Sequence, residues 1–126
     1  MKLLLTTFLL SLACFAANAE WVLTSTSDAG TAYADPTTKK RTGNVVRIWE
    51  SITYSKPQVI AGLAYQSTRT YKQYDCAEKI SQTLQVTTFS GKMMSGEVVM
   101  SDAQPYPKEF VAPGSNVAAM LNFACK

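Results

Sequence analysis

The chain has 126 residues, 47% of them hydrophobic and 17% charged, with 12 basic against 9 acidic side chains for a net charge of +3. So even a balance gives no field strong enough to gather polyanions, which argues against nucleic-acid binding as a main activity. Three cysteines and no histidine remove the usual general base near neutral pH, and with it triads built on Ser-His-Asp or Cys-His.

In chain order, Lys2 precedes an uncharged apolar stretch from Leu3 to Ala17, and Ala17-Asn18-Ala19 supplies a small-x-small cleavage pattern. These features predict a cleaved signal peptide over residues 1–19 and an exported domain over residues 20–126. A membrane-spanning helix needs about 20 unbroken apolar residues, and Thr6, Thr7, Ser11 and Asn18 interrupt this stretch. Lipidation at Cys14 is the alternative, since Leu10-Ser11-Leu12-Ala13 resembles a lipoprotein box with Ser11 where a branched apolar residue is expected. Removing the leader discards Cys14 and leaves Cys76 and Cys125 as a lone pair in an oxidising compartment, where paired thiols become a disulfide. Roughly 100 residues then remain, enough for one core but not two.

From Glu20 to Tyr106 the chain is rich in Val, Thr, Tyr and Ile, punctuated by Gly, Pro, Asp and Asn, which is the composition of strands and turns. Six strands are predicted, at Trp21–Thr24, Thr31–Ala34, Asn44–Tyr54, Tyr65–Asp75, Lys79–Phe89 and Met93–Ser101. Turn chemistry separates them: Asp28 with Gly30, Asp35 with Pro36, Gly62, Ser90 with Gly91, and Asp102 with Pro105. Lys39, Lys40 and Arg41, between Pro36 and Gly43, read as a turn tip, and Ser55–Ala64 reads as the longest loop. No connection can hold a helical crossover, so an antiparallel meander is expected.

Within the third strand Val46, Ile48, Ile52 and Tyr54 share a face that Glu50 interrupts, while Val45, Arg47, Trp49, Ser51 and Thr53 take the other. In the fifth, Ile80, Leu84 and Val86 read in phase against Lys79, Ser81, Thr83, Gln85 and Thr87. The pattern then changes at Pro113-Gly114-Ser115. Beyond it Val117, Met120, Leu121 and Ala124 recur at helical spacing behind Ser115, a good N-cap. A helix of about ten residues is marginal alone in water, so it must dock on the sheet, with Cys125 at its end ready to lock to Cys76. The expected fold class is thus α+β: about six antiparallel strands in a meander, with one C-terminal helix docked by a disulfide.

That docking assigns faces to the fourth strand. Tyr74 lies under the helix with Cys76, while Tyr65, Ser67, Arg69, Tyr71 and Gln73 fall on the free side, where Arg and Tyr suit a binding surface. Carboxylates at Asp28, Asp35, Glu50, Asp75, Glu78, Glu97, Asp102 and Glu109 show no spacing that singles out a catalytic pair or a calcium loop. No metal ligand set, cofactor motif or catalytic residue is expected; Ser90–Gly96 lacks the Lys-Ser/Thr ending of a phosphate cradle and reads as a hairpin turn. Met93 and Met94 could offer a soft contact surface there.

A distributed set of residues resembles one family: Trp21-Val22, Tyr33-x-Asp35-Pro36, Gly43-x-Val45-Val46-Arg47-Ile48-Trp49, Tyr65-x-Ser67, Asp75-Cys76-Ala77, Phe89-Ser90-Gly91, Gly96-Glu97-Val98-Val99, Pro113-Gly114-Ser115 and Cys125. In this order they are similar to the surface-adhesin protein E family of Gram-negative bacteria. The resemblance implies a six-stranded antiparallel sheet with a helix tethered by Cys76 and Cys125. It also implies dimerisation, surface display and binding of host matrix proteins such as vitronectin and laminin. The expectation is an exported, non-enzymatic binding protein with a protein partner; the alternative is a periplasmic structural or accessory component that binds another envelope protein.

Overall fold

The computed structural model describes residues 19–126, so the expected leader, together with Cys14, lies outside the described residues except for Ala19. Strands β1 (Val22–Ser27), β2 (Gly30–Thr42), β3 (Val45–Ile60), β4 (Leu63–Asp75), β5 (Ile80–Phe89) and β6 (Val98–Asp102) are followed by a short β7 (Glu109–Phe110) and helix α1 (Asn116–Ala124). The first six pair antiparallel in chain order, as their short connections require. Strand β7, which the sequence did not suggest, pairs with β5 at Ile80 and Ser81 beyond the end of β6.

The core lies between one face of the sheet and α1. Ala32 and Ala34 of β2, Val46 and Ile48 of β3 and Tyr74 of β4 meet Met120, Leu121 and Ala124 of the helix, all of them buried. Small side chains on β2 let the helix approach, and each large side chain buried against it contributes about 1.5–3 kcal/mol. Ser115 caps α1 as its sequence predicts, its hydroxyl accepting from the Ala118 amide at 3.1 Å. At the other end Cys125 is bonded to Cys76, with 5.8 Å between Cα atoms.

Several expectations are corrected. Lys39–Arg41 is not a turn tip: these residues belong to β2, which runs on through Asp35 and Pro36. The register with β3 skips between Asp35 and Lys40, and such a bulge is where Pro, lacking an N–H, can sit in a strand. Lys39 and Arg41 have structural work, since Lys39 Nζ donates to the Lys126 carbonyl at 2.9 Å and Arg41 Nη1 to that of Cys125 at 3.1 Å. Cations suit this end of a helix, where orphan carbonyls collect. The expected loop Ser55–Ala64 is a hairpin, with β3 reaching Ile60 and β4 starting at Leu63. Ala61 and Gly62 turn it with φ of 48° and 76°, the left-handed pair that matches strand twist. The expected strand from Met93 begins only at Val98, after a 3-10 turn over Lys92–Met94.

The phase read for β5 also fails. Lys72 pairs with Thr83 and Tyr71 with Gln85, so Leu84 is an unpaired bulge and the alternation reverses across it. Val86 therefore lies on the helix side with Ser81 and Thr83, and Ile80 on the opposite side.

Glu50, which interrupts the apolar face of β3, is buried there at 1% exposure. The Tyr74 hydroxyl donates to its Oε1 at 2.5 Å, while Oε2 has no partner. Burial pushes the Glu50 carboxyl up from 4.5 to about 7, against the opposing pull of the Tyr74 hydrogen bond and the Lys72 charge. Burial likewise raises Tyr74 and lowers Lys72.

Reducing the disulfide, or replacing both cysteines by Ser, opens a link between residues 49 apart in sequence and lowers unfolding free energy by about 4 kcal/mol in the chain-entropy account, measured by urea titration. For Glu50, a folded value above the ordinary 4.5 means that the native chain holds a proton the unfolded chain has released. Stability from this group is then full below pH 4.5 and is lost as pH rises through 7. Between pH 5 and pH 8 the wild type should lose about 2–3 kcal/mol relative to Glu50→Gln, at about 1.4 kcal/mol per unit.

Candidate functional site

The face turned away from α1 is built from positions that alternate with the core. Register sets Trp49 of β3 opposite Tyr71 of β4, and Tyr71 opposite Gln85 of β5. The Trp49 and Tyr71 rings stack with centroids 4.9 Å apart and planes 24° from parallel. The exposed Arg69 guanidinium lies 4.8 Å over the Trp49 ring. Beside them Arg47 Nε donates to Gln73 Oε1 at 2.9 Å. Both guanidinium groups are therefore oriented by neutral partners, a ring face and an amide, that leave their charge uncancelled. Such a patch can offer stacking, cation–π contact and fork-shaped donors to a partner.

The structure brings together Arg69, Tyr71 and Gln73 as the sequence suggested, and adds Arg47, Trp49 and Gln85 to them. Ser67 is different, being fully buried. The β5–β6 connection folds back over it, where Ser67 Oγ donates to the Gly91 carbonyl at 2.6 Å and accepts from the Met94 amide at 2.8 Å. The Met93 amide reaches β3, donating to Thr53 Oγ1 at 3.1 Å. Met93 and Met94 hold φ of 53° and 59°, a left-handed conformation that side chains disfavour, and these cross-strand bonds hold it. Ser90–Gly96 is thus a hairpin connection that also straps one end of the free face, leaving Met93 exposed beside it. Tyr65 does not join Tyr71: the β3 register skips between Thr53 and Gln58, and Tyr65 packs edge-on against Tyr54 at 5.8 Å on the helix side.

The candidate carboxylates disperse. Asp35, Asp75 and Asp102 accept backbone amides of Thr37, of Ala77 and Glu78, and of Gln104, all within 3.0 Å. They shape a bulge and turns. Asp28, Glu78, Glu97 and Glu109 are exposed, and Glu50 lies in the core. Among the described residues no group of three or more His, Cys, Asp and Glu could hold a metal ion, and no helix is long and apolar enough to cross a membrane.

The family model for surface-adhesin protein E matches residues 21–126. Among solved structures, crystal form II of Haemophilus influenzae protein E is similar with a TM-score of 0.61 at 12% identity, covering 81% of this chain and 91% of that one. Protein E from non-typeable Haemophilus influenzae is similar with a TM-score of 0.59 at 12% identity, covering 88% and 78%. At this identity the likeness is one of fold. A comparison with curated proteins finds no match.

If Arg69 lies on Trp49 at the surface, Arg69→Ala in a Trp21→Phe background changes Trp49 fluorescence while lowering stability by only about 0.5–1 kcal/mol. A loss several times larger would place the stack in the core instead.

Proposed function

The chain belongs to the surface-adhesin protein E family, and on that premise we propose that it is an exported, non-enzymatic binding protein that contacts a protein partner through the helix-free face of its sheet. The observation that carries the choice of face is the Arg69–Trp49–Tyr71 stack. Arg, Trp and Tyr supply most interface hot spots because they combine large area with fixed geometry. Here the sheet holds them pre-ordered, so little side-chain freedom is lost on binding. The uncancelled charge of Arg47 and Arg69 favours a partner segment with acidic and aromatic side chains. Surface display and recognition of host matrix proteins, with pairing of two copies, complete the proposal.

The test couples location to binding. On intact cells the protein should be cut by added protease, and the purified protein should bind immobilised vitronectin or laminin, with Trp49→Ala/Arg69→Ala weakening capture by ten-fold or more. Protection from protease until the outer membrane is opened would support instead a periplasmic accessory component. Unchanged capture by the double variant would move the binding surface elsewhere.

A further inference from the structure

The other side of the sheet carries a separate feature. Helix α1 has nine residues and packs over β1, β2 and β3, too short to reach across β4, β5 and β6. A cavity of about 310 Å³ remains on that side. Val86 of β5, Met100 of β6 and Met120 of α1 give it apolar walls. Glu50 also lines it, buried, with Oε1 taken by the Tyr74 hydroxyl and Oε2 without a partner. The buried Thr88 hydroxyl lines it too and is likewise unpartnered. Polar atoms withdrawn from water are almost always hydrogen-bonded, and with Ser51 Oγ there are three unpartnered ones on residues that line this cavity, which marks where a partner is missing.

The charge on the walls narrows what that partner can be. Lys72 lines the same cavity as Glu50, so once Glu50 is ionised a cationic ligand meets one like charge and an anionic ligand the other. We propose that this cavity binds a small uncharged molecule with an apolar body and one N–H or O–H donor. The donor engages Glu50 Oε2 while the body packs among Val86, Met100 and Met120. The volume lies at the lower end of the range for small-molecule sites, which are apolar with a few placed polar groups. A site of this kind discriminates sharply, because an analogue without the donor leaves the buried oxygen unpaired.

The test uses the intact, oxidised protein at pH 8, where Glu50 is ionised and Oε2 can accept, with indole and with benzothiophene, the same bicycle carrying sulfur in place of N–H. Methyl resonances of Met100 and Met120 report occupancy by nuclear magnetic resonance. Indole should shift both and bind at least ten-fold more tightly than benzothiophene. Glu50→Gln, which can set an amide N–H₂ where Oε2 was, should abolish that preference while its spectrum shows a folded protein. Equal affinity of the wild type for the two probes, binding of neither, or a folded Glu50→Gln protein that still prefers indole would overturn the proposal. None of these outcomes bears on partner binding by the opposite face, which the Trp49→Ala/Arg69→Ala variant reads separately.

Discussion

A nine-residue helix cannot persist in water by itself, because the loss of freedom in forming its first turns exceeds what its few hydrogen bonds return. The Cys76–Cys125 bond is the constraint that makes α1 a dependable part of this molecule. It fastens the C-terminal end of the helix to the end of β4, while Ser115 closes the N-terminal end and Lys39 and Arg41 donate to the last carbonyls. With the helix pinned, Met120, Leu121 and Ala124 seal Val46, Ile48 and Tyr74 from water. That seal buries Glu50 next to Tyr74, and the raised pKa of its carboxyl is a consequence of where the helix sits.

The same short helix divides the sheet into unequal environments. One face is covered over β1–β3 and left with a cavity over β4–β6. Among the described residues the other carries only the strap from Ser90 to Gly96 across one end, which leaves the Trp49–Tyr71 stack and its two arginines uncovered by α1. In a chain of the surface-adhesin protein E family, aromatic and Arg side chains pre-ordered on a rigid sheet are parts suited to recognition.

Much of this was legible in the sequence because its signals are local. The strands declared themselves through β-branched and aromatic runs, the helix through Ser115 and the spacing of Val117, Met120, Leu121 and Ala124, and the disulfide through a single cysteine pair. What escaped were features set by partners distant in the chain. Leu84 is a bulge only because β4 offers no residue opposite it, so the phase from Ile80 to Val86 misled. Asp35-Pro36 has the chemistry of a turn but is absorbed as a bulge in β2. The fold-back of Met93 and Met94 depends on Thr53 and Ser67, residues 40 and 27 positions earlier, a tertiary override that no local pattern announces. Glu50 was visible as an interruption of an apolar face; its role as the polar floor of a cavity required knowing where α1 ends.

The sulfur link, rather than helical propensity or packing alone, keeps α1 on the sheet. Native-state amide hydrogen exchange on oxidised and on reduced protein tests this most directly, since it reads each element separately. Reduction should strip protection from the amides of Met120 to Ala124 while those of β3 and β4 at Ile48 and Thr70 stay slow. Helix amides that remain as protected after reduction as before would contradict it.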